Sequence, residues 1–363
     1  MTEGDGRHID PRLGLLTGEG AQQRFEERKE KREPWSHTPS AGPRDTYYDL
    51  PAIKEPVWIW SVPAYFYAGG AAGAAATLGA VAQSVDRDGL ADLVRNCRVL
   101  AAAGTSVGTV LLIIDLGRPE RFMNMLRVFR PTSPLNVGSW VLAASATSTA
   151  AAAVLSNARG AGPRRLGDVA GRVAGAFGLP LSGYTAVLLT NTVVPVWQAA
   201  TRSLPALFVA SAASSAASLL SLTNLGDREK RIVERFGFLA EIAELSATFA
   251  VEREVGRNSR VARPLGEGVS GILWKAATAC TLGSLLLSHP ARRSRVASAI
   301  SSLLGVAGPL AMRFGLFHAG KASARDPRAT FEAQRASLGA VEASGLAGVA
   351  GAKDRRAPDR SPG

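Results

Sequence analysis

Residues 56–85 contain no charged side chain, a run longer than the roughly 20 helical residues that cross a hydrocarbon core. Such a run must either be wrapped in protein or lie in lipid, and the pattern around it favours lipid. Further uncharged stretches occupy residues 99–114, 131–158, 173–201 and 203–226, each bounded by Arg or Asp. Three more candidates follow at about 232–251, 265–288 and 296–318. The first of these carries Glu234, Glu241 and Glu244, the second Lys275, and the third is uncharged as far as Arg313. Soluble helices show a polar face at every turn, yet GGAAGAAATLGAVAQ (69–83) has almost none. The expectation is an all-α integral membrane protein of about eight transmembrane helices.

Composition fits that reading. Ala, Gly, Ser and Leu dominate, and aromatics make up only 6% of residues, which would give a poor soluble core. A mean hydropathy of +0.07 averages the apolar middle with two polar ends. Residues 1–46, including RFEERKEKRE (24–33), have no apolar stripe to bury and are expected to be a disordered tail. Residues 326–363 are expected to be a second such tail, leaving 47–325 as the transmembrane domain. The net charge of +12 comes from Lys and Arg placed between apolar runs rather than along one basic stripe, so membrane lipid, not nucleic acid, is the expected surrounding partner. Those cations divide about evenly between the two sets of loops, and orientation stays open. The opening residues lack the basic, apolar, small-residue order of a signal peptide, so no segment is expected to be removed. Cys97 and Cys280 supply neither a disulfide framework nor the four thiolates of an iron–sulfur cluster, which this chain alone is not expected to hold. Aromatic residues such as Trp58, Trp60, Trp140 and Trp197 sit near span ends, where headgroups favour them. Gly69 and Gly73, four apart, are read as close helix packing.

Several residues could carry chemistry. In DLGRPERFMNMLRVFRPTSPLNVGSW (115–140), Phe122, Met125, Leu126 and Phe129 fall on one helical stripe, with Arg118, Arg121, Arg127 and Arg130 elsewhere on the turn. This reads as a helix lying in the membrane interface, either capping the bundle or docking a partner subunit through its arginines. Asp115 ends the second span and can accept a proton or anchor the loop by pairing with Arg118. Glu234, Glu241 and Glu244 share a helix face, and ionisable groups at mid-depth cost roughly 2.5 kcal/mol or more unless paired or solvated. A Glu244–Lys275 pair is the structural expectation, and a proton path along that face is the functional one. His289 and His318 end successive antiparallel spans at opposite faces, so haem ligation is not expected.

The segment at 115–140, together with YYDLPAIKEPVW (47–58), YFYAGGAAG (65–73), SGYTAVLLTNTVVPVW (182–197) and RFGLFHAGKASA (313–324), resembles the NrfD/PsrC polysulfide reductase membrane-subunit family. The resemblance runs in order across about residues 47–325. It implies two stacked four-helix bundles, no bound haem, an exchangeable quinone or quinol near one membrane face, and a ferredoxin-like iron–sulfur subunit as electron partner. A molybdopterin catalytic subunit is the usual third component, and a prokaryotic cytoplasmic membrane the implied location. By the same resemblance the GYT motif associates Tyr184 with the quinone pocket, with Asp115 as a second proton or hydrogen-bond candidate and Tyr65 and Tyr67 as weaker ones. The first span lacks the His that some relatives supply to the quinone. Two rival functions remain open at this stage. One is a transporter built on the mid-membrane Glu and Lys residues, with Pro180 and Pro309 marking matching helix breaks. The other is a purely structural anchor for a redox enzyme.

Overall fold

A computed structural model of the chain describes residues 53–116, 124–291 and 294–331, and the backbone of residues 7–10 and 15–18. The side chains of 289–291 lie outside the description. Two units are separate: Met1–Leu50 and Pro51–Gly363. In the first, β1 (Arg7–Asp10) and β2 (Leu15–Gly18) pair antiparallel, with Arg7 opposite Gly18. The expected tail therefore contains a short hairpin, and its remaining residues lie outside the description.

The second unit is helical among the described residues: α1 (Ser61–Asp86), α2 (Ala91–Leu116), α3 (Pro134–Ser156), α4 (Ala161–Thr190), α5 (Pro195–Ala199), α6 (Leu204–Ser221), α7 (Asp227–Val255), α8 (Ser259–Gly266), α9 (Gly268–Ala291) and α10 (Arg295–Arg325). Eight of these are long. Six of the eight, α2, α3, α4, α6, α9 and α10, are apolar enough by composition to cross a membrane. The other two are α1, rich in Gly and Ala, and the charge-bearing α7. Helices α1 to α4 pack on one another as one bundle; α6, α7, α9 and α10 form a second; α1 and α4 meet α6, and α1 meets α10, where the bundles join.

Local chemistry sets the helix boundaries. Ser133 accepts from the Asn136 backbone N–H at 3.4 Å with Pro134 in the first turn of α3. Asn258 caps α8 through the N–H groups of Arg260 and Val261, and Ser294 caps α10. Glu229 in the first turn of α7 accepts from Gly226 N (3.0 Å) and, with its other oxygen, from Leu93 N at the start of α2 (2.8 Å). One carboxylate thus satisfies orphan donors of two helices and ties the bundles together. Gly160 (φ 107°) and Gly268 (φ 65°) hold backbone conformations that a side chain would strain, at the α3–α4 turn and the α8–α9 junction.

Small hydroxyls share the apolar interior while many large apolar side chains face outward. Ser211, Ser215, Thr105 and Thr149 are buried, whereas Leu286, Ile272, Phe249 and Leu239 are each about two-thirds or more exposed. The inward hydroxyls donate to carbonyls of their own helices, as Ser215 does to Ser211 O (2.7 Å) and Thr149 to Ser145 O (2.7 Å). Hydroxyls satisfied internally and an outer surface of large aliphatic side chains suit hydrocarbon as solvent. The chain is a multi-pass membrane protein.

Several boundaries differ from the sequence expectation. The fourth span stops at Thr190 rather than near residue 201; Val194 turns the chain and Pro195 opens the five-residue α5. The seventh begins after a break at Glu267, with α8 as a separate short helix. Pro180 and Pro309 lie inside α4 and α10, which continue through them, so the matching helix breaks expected of a transporter do not occur. Residues 327–331, expected to begin a loose tail, are helical, with Ala329 and Thr330 buried and Asp326 accepting from the Arg328 and Ala329 N–H groups.

Candidate functional site

Two constellations of polar side chains lie inside the helical unit. The first is in the bundle of α1 to α4, where the hydroxyls of Tyr65 and Tyr184 are hydrogen-bonded to each other. Small residues on the neighbouring helices make room for both rings. A Cβ on Gly138 of α3 would overlap the Tyr184 ring, and one on Gly108 of α2 would press on the Tyr65 ring at 3.2 Å. Gly69 lies against the Tyr65 ring as well. The phenols are therefore aimed at each other by glycine notches on α2 and α3, a placement that a larger residue at either notch would disturb.

Residues 53–60 form a strap that runs from α10 and α5 to the end of α2 in this bundle. Glu55 receives Arg325 Nε (2.8 Å) and Nη2 (3.0 Å) and lies 3.7 Å from Lys321 Nζ. Trp58 stacks on Trp197 at 5.8 Å between ring centroids, and Trp197 Nε1 donates to Leu316 O at 2.9 Å. Asp115, near the end of α2, accepts from the Ile59 backbone N–H at 3.4 Å. Asp115 therefore stands at the strap end of the same bundle as the tyrosine pair, and anchors the strap.

The second constellation lies where the bundles meet. Glu244 of α7 is buried and accepts from Ser214 Oγ at 2.6 Å. Arg313 of α10, also buried, donates from Nη1 to Ser211 Oγ (2.6 Å) and from Nη2 to Phe208 O (3.1 Å), with its guanidinium 3.9 Å above the Phe208 ring. Ser214 Oγ also reaches Ser211 O at 3.3 Å, so the acid and the base are linked through α6 and lie within electrostatic reach of each other. Tyr67 of α1 joins from the first bundle. Its hydroxyl is enclosed beside Ser215 and, like Arg313 Nε, has no hydrogen bond of normal geometry among the described residues. One turn before Glu244, Glu241 accepts from Ser284 Oγ of α9 at 2.5 Å. A cavity of about 70 Å³ leads to Glu241, lined by Lys230, Glu234 and several serines of α6, α9 and α10.

The expected Glu244–Lys275 pair does not form. Lys275 is on the exposed face of α9, and its Nζ donates to Gly266 O at 3.1 Å, snorkelling to the helix end while Glu244 faces inward. The cation opposite Glu244 is Arg313, which the sequence offered only as the charge ending the last uncharged run. An Arg inside an apolar span must face protein, and the serines of SAASSAASLLS (211–221) were the available signal for its partners.

The expected interfacial helix lies partly outside the described residues: residues 117–123 are not described, Asn124 and Met125 are helical, and Leu126 to Val128 form a turn. Asn136 at the start of α3 fixes that turn, donating to Met125 O and Val128 O (both 2.9 Å) and accepting from Arg130 N (2.6 Å). These side-chain bonds to the backbone end the helix after Met125. Phe129 meets Trp140 edge-on at 6.0 Å, and Arg127 and Arg130 are exposed. Arg118 and Arg121 lie outside the described residues.

Comparison with known proteins adds one finding: a family model described as polysulfide reductase matches residues 45–325. No curated protein matches the chain. The match covers both bundles, both tyrosines of the bonded pair, Asp115 and the Glu244–Arg313 cluster, and stops at the residue where α10 ends. The chain belongs to the NrfD/PsrC, or polysulfide reductase, family of membrane proteins.

Proposed function

We propose that this chain is the quinone-handling membrane subunit of a polysulfide reductase-like complex in a prokaryotic cytoplasmic membrane. It exchanges electrons with a ferredoxin-like iron–sulfur subunit, which in turn serves a molybdopterin catalytic subunit. The observation that carries this reading is the Tyr65–Tyr184 pair, two phenols fixed inside an apolar bundle with a carboxylate at its mouth. A quinol releases electrons and protons together, so its site needs hydrogen-bond donors for the oxygens and a route out for protons. Tyr184 and Tyr65 supply the hydroxyls when their mutual bond opens. Asp115 lies seven residues beyond Gly108 on α2, about 10 Å along the helix, and passes the proton towards the membrane face. The exposed Arg127 and Arg130 present a basic surface at the same end for the iron–sulfur partner.

The test uses the complex purified from native membranes, with co-purifying iron and quinone assayed. Tyr184→Phe and Asp115→Asn should each lower quinone-linked turnover by on the order of a hundredfold with the thermal midpoint unchanged. Turnover within a factor of about two of wild type in both variants would overturn the assignment, and recovery of the chain without iron or quinone would favour an anchor.

A second role is supported by the cavity that reaches Glu241. Glu241, bonded by Ser284, stands one turn from Glu244, which is linked through Ser214 and Ser211 to Arg313, and together they offer a proton route from the end opposite the strap to Tyr67 at the bundle interface. Glu241→Gln should then abolish proton uptake while leaving electron transfer measurable. Solute uptake by the subunit reconstituted alone would instead identify this cavity as a transport site.

A further inference from the structure

At the end of the first bundle opposite the strap, a cavity of about 290 Å³ opens between α2 and the α3–α4 turn. Arg87, Arg95, Arg98 and Arg164 line it, and Asp88 is the one acid among its lining residues. Behind that wall, Asp168 of α4 bonds Arg98 through one oxygen and Arg87 through the other, both at 2.9 Å. One carboxylate thus serves two guanidiniums, and Arg98 is held further by Gln83 at 2.8 Å. Arg95 is largely exposed and pairs with Asp92 at 3.1 Å, while Arg164 Nε reaches the Ala158 carbonyl at 3.4 Å. Positive charge therefore exceeds negative in this cavity.

Its floor has a different character. Val99 and Ala153 line the side facing the bundle's middle, and from Val99 a row of half-exposed valines, Val107 and Val110, continues down the outer face of α2. A guanidinium cluster at a helix-bundle end, with an apolar track leading from it to mid-depth, matches a molecule with an anionic head and hydrocarbon tails. A free anion would use the arginines but not the track.

We propose that this cavity binds the headgroup of an anionic membrane phospholipid, with the phosphodiester held by Arg95 and Arg164 beside Arg87 and the acyl chains lying along the Val99–Val110 face of α2. Arg98 and Asp168 position the wall and do not contact the ligand. The site is distinct from the tyrosine pair and from the basic α2–α3 loop, which lie towards the other end of the bundle.

The experiment adds phosphatidylglycerol, phosphatidylcholine or inorganic phosphate to the delipidated protein in detergent, and reads the thermal midpoint and the lipids retained in native mass spectrometry. Phosphatidylglycerol should raise the midpoint and remain bound, with phosphatidylcholine weaker and phosphate ineffective. The Arg95→Ala/Arg164→Ala double variant should bind phosphatidylglycerol at least about tenfold more weakly, and the corresponding Lys double variant should recover most of the affinity. Equal retention by wild type and the alanine variant, or no preference for phosphatidylglycerol over phosphatidylcholine, overturns the proposal. An equal effect of phosphate assigns the cavity to a soluble anion instead and overturns the lipid. If the alanine variant does not fold, the wild-type comparison of the three additives still decides.

Discussion

Tyr184 depends on what its neighbours lack. Its ring occupies the space a Cβ would take at Gly138, so Gly138→Ala forces either the ring or α3 to move. Overpacking of this kind costs roughly 1–3 kcal/mol. Gly138→Ala should lower the thermal midpoint in detergent by several degrees and impair quinone-linked turnover, whereas Tyr184→Phe should lower turnover alone. The two variants separate the ring's position from its hydroxyl. Arg313 poses the complementary problem of a buried charge. Arg313→Met leaves Glu244 and two serines facing an apolar side chain, and breaking such a cluster costs about 3 kcal/mol or more. The further change Glu244→Leu should recover part of that loss, because the uncompensated charge is then gone as well. Strictly additive losses in a double-mutant cycle of thermal stability would show that the two residues are not coupled.

At the scale of elements, close backbone approach sets the helix crossings. A Cβ on Gly73 of α1 would strike the Gly178 carbonyl of α4, and a Cβ on Gly178 would strike the Gly73 carbonyl. The Gly69/Gly73 spacing was legible as close packing, but only Gly73 admits a neighbouring helix; a Cβ at Gly69 would meet the Tyr65 ring of its own helix at an ordinary 3.4 Å. The strap is another element the sequence did not mark. Residues 53–60 have no regular structure, and Glu55, Trp58 and Ile59 are each held by a group distant in sequence. Glu55→Gln removes an ion pair whose Arg325 side is largely exposed and whose Glu55 side is about two-thirds covered, worth about 1 kcal/mol. It should leave the thermal midpoint nearly unchanged while speeding trypsin cleavage after Lys54. Unaltered cleavage would mean that the Trp58–Trp197 stack alone holds the strap.

On the scale of the molecule, the eight long helices among the described residues return the chain to the side from which it entered, and the Glu55–Arg325 contact brings the two ends of the transmembrane unit together. Reporter fusions placed before residue 53 and after residue 331 should therefore report the same side of the membrane. Opposite sides would require that one long helix does not span, and α7, with its charged residues, would be the first to re-examine. The buried serines and outward leucines described above make the same point energetically. In water this arrangement would expose many large aliphatic side chains, whereas in lipid those side chains meet hydrocarbon.

Sequence alone was sufficient for the membrane class, the number of long helices and the family, because each rests on runs of composition or ordered motifs that survive without knowledge of contacts. It also singled out Tyr65, Tyr184, Asp115, Glu241 and Glu244, since a polar group in an apolar run stands out wherever it points. Partners were decided only by the tertiary structure. Helix rotation sent Lys275 outward and turned Glu244 towards Arg313, and glycine notches on α2 and α3 placed the rings of Tyr65 and Tyr184 for their bond. A one-residue change of register on an α-helix turns a side chain by about 100°, and that rotation is fixed by packing among helices far apart in the chain, which no local pattern encodes.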